Sequence, residues 1–399
     1  MSVTETTTEG WGSRLGSSLK GVLVGLALFV AGFPVLFWNE GNSVATAKAL
    51  DEGEGACIAV ESNAKVDSGL EGKLVHMTGL ADTQAVLADD VFGVSERAIR
   101  LERQVEMYQW REHSRTEEKK NLGGSVTKTT TYTYDQGWEP RAISSANFKE
   151  AGHVNPPAIE FPSRTQYASA VSFGAFRLNE GQIRRIGAVR PVAFPSNFTC
   201  RLERVQRAGD VLYVPNAETR ANPLNNRQVA AQPRIGDMRV VFRAVRPHEI
   251  SLVSKQTGDT FTGYTSKAGG GRKVDLLADG VEDAAAMFAS ARRGNAMLTW
   301  LIRLGGFLLM FFGLSAILRP ISVLGDVLPI LGNILEIGIG LVAGVVAAVC
   351  ALVTIAVAWL FYRPLYGILL LVAAAALVVW LVRRRRAKVA APAAPMPAA

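Results

Sequence analysis

The sequence predicts a membrane α-helical bundle, one amino-terminal plus three carboxy-terminal spans, with a large β-rich α+β soluble domain inserted between spans 1 and 2. Three observations predict it: four apolar stretches, a long polar interval between the first and second of them, and two-residue alternation inside that interval. Val22–Trp38 is an unbroken apolar run. Ala296–Leu318 is interrupted only by Arg303 and small polar residues, and Ile337–Phe361 and Leu365–Val382 carry no charge. A helix needs about 20 mostly apolar residues to cross the hydrocarbon core, which sets the expected spans at 21–38, 296–318, 337–361 and 365–382. The polar domain is then 39–295, with a cytoplasmic lead of 1–20, an apolar interfacial or re-entrant connection at 319–336 and a basic cytoplasmic tail at 383–399.

The formal charge of +8 would suit nucleic acid, but its position argues otherwise. Arg383, Arg384, Arg385 and Arg386 follow the last span directly, as a topology anchor facing cytoplasmic headgroups does. Counting back through four spans puts the amino terminus on the same side. Arg14 and Lys20 before the first span agree, as does the acidic exit through Glu40, Asp51, Glu52 and Glu54. Arg292 and Arg293 point the other way and are outweighed, because long domains translocate largely regardless of charge. The polar domain is therefore expected outside the cytoplasm. Ala45-Thr46-Ala47 resembles a signal-peptide cleavage site, yet the apolar run is long for a signal core and ends well before it, which favours a retained anchor.

Within the domain, Asn42–Glu54 lacks breakers and reads as a short helix or linker, and Lys73–Thr78 begins a strand. Across Ile99–Arg111, Leu101, Arg103, Val105, Met107 and Gln109 share one face, with Arg100, Glu102, Gln104, Glu106, Tyr108 and Trp110 on the other. A polar turn at Glu117–Gly124 leads into the Thr- and Tyr-rich Val126–Tyr134, completing a hairpin. Gly209-Asp210, Gly236-Asp237 and Gly258-Asp259 each precede a strand-like run, the rhythm of an antiparallel meander or small barrel. Asn216–Gln232 reads as an exposed loop, and Asp279–Arg293 as a helix with Asp279 as its N-cap.

Catalytic chemistry is not signalled. His76, His113, His153 and His248 have no metal-ligand neighbours at zinc-site spacing, and no nucleophile elbow occurs. Gly269-Gly270-Gly271-Arg272-Lys273 lacks the spacing and trailing hydroxyl of a phosphate loop and reads as a solvated turn. The expectation is a non-enzyme with no cofactor and no metal. Tyr108 and Trp110 with Tyr132, Tyr134 and Trp138 offer either an aromatic binding surface or cross-strand packing. Cys350 lies inside a span, leaving Cys57 and Cys200 either paired or free.

In the membrane part, Gly21/Gly25 and Gly340/Gly344 form two GxxxG arrangements that let helix backbones approach, within the chain or between copies. Arg303 sits near the outer end of its span and Glu336 opens the next from the cytoplasmic end, so they are too far apart to pair, and both are expected to snorkel. Ile321–Leu335 is apolar at helical spacing with Pro320 and Pro329 limiting continuity, which suits an interfacial segment or an elongation of its neighbours.

Five strings carry a family resemblance: Asn39-Glu40-Gly41, Val105-Glu106-Met107-Tyr108-Gln109-Trp110, Gly152-His153-Val154-Asn155-Pro156, Gly236-Asp237-Met238-Arg239-Val240 and Trp359-Leu360-Phe361-Tyr362-Arg363-Pro364. In these strings, their order and the one-plus-three spans, the chain resembles the transmembrane protein 43 (LUMA) family over nearly its whole length. The Ala/Arg-rich tail and Gly-rich spans make it look like a bacterial relative. The resemblance implies a lumenal or periplasmic domain with both termini cytoplasmic. In eukaryotic members it implies the endoplasmic reticulum and inner nuclear membrane, with self-association and binding to other membrane proteins. The functional expectation is thus a multi-pass scaffold organising membrane protein complexes. The alternative is a lipid-binding or lipid-homeostasis protein, motivated by Ile321–Leu335 and the arginine cluster. Expected partners are membrane lipids, further copies of the chain and other membrane proteins, and no nucleic acid.

Overall fold

Leu101, Arg103, Val105, Met107 and Gln109 are all buried, and the residues between them are all partly exposed. The alternation that predicts a half-buried strand is therefore the burial pattern of the molecule. In the computed structural model, which describes residues 2–221, 229–327 and 329–364 together with Ile368 and Val372, these residues open a strand that runs from Arg100 to Lys120. The chain divides into a β-rich unit (Met1–Glu9, Ala49–Lys120 and Val126–Arg292) and a helical unit (Gly10–Lys48, Asn121–Ser125 and the chain from Arg293 on). Apart from Ile368 and Val372, the expected fourth span lies outside the described residues, as does the Arg383–Arg386 cluster.

The main strands of the β-rich unit are β1 (Ser2–Glu9), β2 (Leu74–Asp82), β3 (Arg100–Lys120), β4 (Val126–Glu139), β5 (Gln206–Ala208), β6 (Val211–Val214), β7 (Met238–Val245), β8 (His248–Thr257) and β9 (Leu276–Asp279). Among the described residues the larger sheet has eight strands. Its central order is β1-β4-β3-β7-β6-β5, and two short strands pair at its sides. A second sheet is built around β2 and β8, which pair antiparallel from His248 opposite Ala81 to Lys255 opposite Leu74. Each sheet buries one face. Leu101, Val105, Met107, Leu212, Val240 and Phe242 fill the core of the larger one, and Val75, Met77, Phe173, Ile250, Leu252 and Phe261 fill that of the smaller.

The Gly-Asp pairs behave as the sequence requires. Gly209, Gly236 and Gly258 have φ of +63°, +91° and +59°, a region that only glycine enters without steric cost, and β6 and β7 start two residues after the first two. The β3–β4 hairpin is longer than expected, however. Its strands continue through the charged stretch to Lys120 opposite Val126, because Glu118 pairs with Lys128 at 3.3 Å on an exposed ribbon. The turn itself is only Asn121–Ser125.

β1 is a departure. Residues 2–9, expected within the lead of 1–20, pair with β4 over their full length, Ser2 opposite Thr133 and Glu9 opposite Val126. Hydrogen-bonded polar strands cannot be separated by lipid. This pairing therefore keeps residues 2–9 beside β4.

Among the described residues three long helices are apolar enough to cross a membrane: α1 (Trp11–Ala56), α2 (Ala284–Gly325) and α3 (Pro329–Tyr362). α1 is continuous through Asn42–Glu54, and its last turns belong to the β-rich unit, where Ala49 and Leu50 pack with Leu74, Val253, Val274 and Phe288. α2 is capped by Asp283, whose Oδ1 accepts from the Ala286 amide at 2.6 Å. Asp279, the expected cap, ends β9 and accepts from the Gly187 amide instead. The apolar stretch 319–336 is not a separate element: α2 carries Arg319 and Pro320 on to Gly325, and α3 begins at Pro329.

In the helical unit, Leu36, Met310, Ala347 and Ala351 form the core, while Leu23, Phe312 and Leu341 are exposed. An exposed apolar surface of this kind is a liability in water and the normal state in lipid. Gly25 and Gly32 on α1 meet Gly313 and Gly306 on α2. A Cβ at Gly25 would lie 2.7 Å from the Gly313 carbonyl oxygen, and one at Gly32 3.2 Å from the Gly306 oxygen. The partners step by seven residues in opposite directions, so the two helices run antiparallel along a seam that the side chains of Leu36 and Met310 already fill. Among the described residues Gly21 and Gly340 have nothing within 4 Å, and Gly344 makes only ordinary contact with the Phe311 ring. Of the four glycines expected to pack, only Gly25 lies in this seam.

Candidate functional site

The five sequence strings converge at two places. In the helical unit, Glu40 is fully buried at the end of the apolar run of α1. Its carboxylate receives three donors. Arg303 Nε reaches Oε1 at 2.7 Å, and Arg303 Nη2 and Trp359 Nε1 reach Oε2 at 2.9 and 2.7 Å. The guanidinium also lies over the Trp300 ring at 4.6 Å and the Trp359 ring at 5.8 Å. Arg303 therefore does not snorkel. It is held by a carboxylate from one neighbouring helix and an indole from another.

The residues around the pair extend the lock. Asn39 Nδ2 donates to the Thr299 carbonyl at 3.1 Å, and Thr299 Oγ1 donates to Ser43 Oγ at 2.8 Å. Gly41 faces the Tyr362 ring so closely that a Cβ would sit 2.6 Å from it, and that ring leans on Phe37 at 5.3 Å. Arg363 continues the last turn of α3 through its amide, which donates to the Trp359 carbonyl, and Pro364 follows. Asn39-Glu40-Gly41 and the Trp359–Pro364 string are thus two halves of one buried polar contact. A buried ion pair gives little net stability over an apolar substitute, but removing one partner is costly. Its chemistry here is positional.

At the other end of the same helices, Arg14 donates to Asp326 Oδ2 at 2.5 Å and to the Gly124 carbonyl at 2.6 Å, with Asp326 almost fully buried. Sequence reasoning used Arg14 only as a topology charge.

The second convergence surrounds β3 in the β-rich unit. Tyr108 exchanges main-chain hydrogen bonds with the Gly236-Asp237 segment, both at 2.8 Å. Two residues on, the Asn155 side chain takes over the strand partner's role. Its Oδ1 accepts from the Trp110 amide at 2.7 Å, and its Nδ2 donates to the Trp110 carbonyl at 2.9 Å. The Asp237 carboxylate is fully buried and accepts from the Asn216 and Arg234 amides at 2.8 and 2.7 Å. These side chains thus extend the pairing of β3 past the end of β7 and tie down the loops around 155, 216 and 235.

On the outer face Tyr108 stands opposite Trp138, with ring centroids 5.3 Å apart. Trp138 continues to Tyr213 at 6.1 Å, and the Arg239 guanidinium lies 4.9 Å over the Trp138 ring while pairing with Glu106. Trp110 and Tyr134 enclose His153, at 4.3 and 4.2 Å. Tyr132 is separate and donates to Glu5 of β1 at 3.2 Å. The cross-strand packing of the sequence reading is present, and the cluster is only half-buried.

Gly269–Lys273 belongs to a loop whose start does hold an anion, but the anion is the chain's own Glu52. The Tyr264 hydroxyl and Lys267 amide donate to Oε1 at 2.9 and 3.1 Å, and the Ser266 hydroxyl and Ala268 amide to Oε2 at 2.7 and 2.6 Å. The Ser266 hydrogen bond, followed by the two amides, holds the carboxyl at about 2, against an ordinary 4.5. Cys57 and Cys200 are free and lie against different cores. Burial pushes the Cys57 thiol up to about 11, and that of Cys200 upward. Among the described residues no group of three or more metal-ligating side chains occurs.

The family model described as transmembrane protein 43 matches residues 107–364, a range that includes Arg303, the Trp359–Pro364 string and most of the second convergence. The chain belongs to the transmembrane protein 43 family. It is 34% identical to the Rattus norvegicus transmembrane protein 43 over 379 residues, covering 92% of this chain and 91% of the relative. The Homo sapiens protein is 33% identical over 374 residues, covering 90% and 89%, and a Drosophila melanogaster homologue is 30% identical over 369, covering 88% and 90%. No solved structure matches. Family membership and the three candidate membrane helices make this a membrane protein, and the relatives' names state no enzymatic activity.

Proposed function

We propose that this protein is a non-enzymatic membrane scaffold that self-associates through its helices and presents its β-rich unit to other membrane proteins. The observation that carries the reading is the outer face of the larger sheet. There Tyr108, Trp138 and Tyr213, with Arg239 among them, form a rigid half-exposed aromatic cluster of the composition favoured at protein interfaces. Among the described residues nothing lies within 4 Å of a Cβ built at Gly21 or Gly340, which supports self-association, since small residues facing outward admit a second helix. The test is photo-crosslinking in native membranes from probes beside the cluster, read by mass spectrometry, in the unmodified chain and in Trp138→Ala and Gly340→Leu variants. A recurrent set of protein adducts that Trp138→Ala abolishes, with self-adducts that Gly340→Leu reduces, is the expected result. Adduct patterns identical in all three proteins would remove both surfaces from the reading.

A further inference from the structure

We propose that the β-rich unit binds a medium-chain carboxylate, an alkyl chain ending in a carboxyl group, in a cleft at the end of the larger sheet's core. The cleft has a volume of about 330 Å³, at the lower end of the range of small-ligand sites. Its floor is Met107 and Met238, each almost fully buried. Its walls include Pro156, Ala217 and Ile235.

Two features define the ligand. Methionine floors are unbranched and polarizable, and they adapt to a flexible alkyl chain better than β-branched side chains would. The rim carries two charged residues, but only one is uncompensated. Glu160 is neutralised by Arg204. Arg220 is exposed and donates through Nε to the Asn216 carbonyl at 3.2 Å, and among the described residues no carboxylate pairs with it. An apolar slot beneath one free guanidinium is complementary to an amphipathic anion. The slot is held open from the backbone upward. Gly236, at φ +91°, passes close to Pro156, where a Cβ would come within 3.1 Å of the ring, and Asp237 fixes the turns on either side through two amides.

The test uses the full-length protein in lipid nanodiscs with a diazirine analogue of decanoate, and the labelled peptides are mapped by mass spectrometry. Labelling is expected at Met107, Met238 or the peptides around Pro156 and Ala217, and unlabelled decanoate should compete it away. Two rim variants at exposed positions spare the core. Arg220→Glu should weaken labelling about tenfold, the scale of one lost charge-assisted hydrogen bond. Ala217→Trp should block the slot. The probe's methyl ester separates head from tail: it should be insensitive to Arg220→Glu and still excluded by Ala217→Trp. Labelling confined to the membrane helices, or unchanged by both variants, would overturn the proposal.

Discussion

Glu40 and Arg303 form a two-point ion pair, at 2.7 and 2.9 Å, between helices far apart in sequence, with Glu40 fully enclosed and Arg303 only 15% exposed. Removing one partner leaves the other buried and uncompensated, which costs about 3–5 kcal/mol in comparable settings. Glu40→Gln and Arg303→Met should each lower the unfolding midpoint sharply in detergent titrations. The double variant Glu40→Leu/Arg303→Met should recover much of the loss. A double variant as unstable as the sum of the singles would mean that the two residues do not act as a pair.

The glycine seam predicts a contrast between positions. Gly313→Leu would drive a side chain into the α1 backbone at Phe29, where even a Cβ would come within 2.6 Å of the amide nitrogen. It should abolish accumulation of folded protein. Gly340→Leu points into open space and should leave folding unchanged. Fluorescence-detected size exclusion of the two variants checks this directly.

Glu52 gives a pH dependence whose sign is fixed. It lies in the β-rich unit, beyond the apolar run Val22–Trp38, and its folded-state value of about 2 is below the ordinary 4.5. Its contribution is therefore complete above about 4.5 and is lost as the pH falls toward 2. Amide exchange at Lys267 and Ala268, corrected for intrinsic acid dependence, should accelerate across that window. In a Glu52→Gln variant the acceleration should disappear.

The raised Cys57 thiol predicts slow chemistry. With its value pushed to about 11, almost no thiolate exists near neutrality, and the thiolate is the nucleophile. Alkylation of the folded protein at pH 7.5 should leave Cys57 largely unmodified, and denaturation should release it. Rapid labelling before unfolding would contradict the burial described for this residue.

The β1–β4 pairing can be trapped covalently. Thr6 and Thr129 are directly opposed, and opposed residues on antiparallel strands come within disulfide reach. A Thr6→Cys/Thr129→Cys variant should crosslink under mild oxidation in intact membranes. Failure to crosslink would mean that β1 and β4 are not paired in the membrane-embedded protein.

The features legible in sequence were those with a local period. The alternation across Ile99–Arg111 and the Gly-Asp turns translate directly into burial and φ, because each is decided within a few residues. What was missed depends on partners that folding brings together. The GxxxG pattern joins glycines four apart, whereas the seam uses Gly25/Gly32 and Gly306/Gly313 at seven. Glu336 opens the apolar run that follows Arg303 in sequence, whereas the partner of Arg303 is Glu40, which closes the first apolar run at the same end of the helices where Arg303 opens the second. The nest around Glu52 could not be read from Gly269–Lys273, because the donors are amides just before the glycines and the anion is supplied from α1. Met107, Pro156 and Gly236 appear in three separate strings, and nothing local announces that they line one cleft.

The edge position of β1 also bears on how the protein is handled. Bulk attached beside Ser2 would not trail freely from this chain, because Ser2 opens the outermost strand of the larger sheet. Bulk placed there competes with the Ser2–Thr133 end of the ladder, and a folded fusion partner would pull on the whole β1–β4–β3 ribbon. Reporters fused at that end thus examine a molecule whose sheet edge is already disturbed, and fusions at an exposed internal loop would leave it intact.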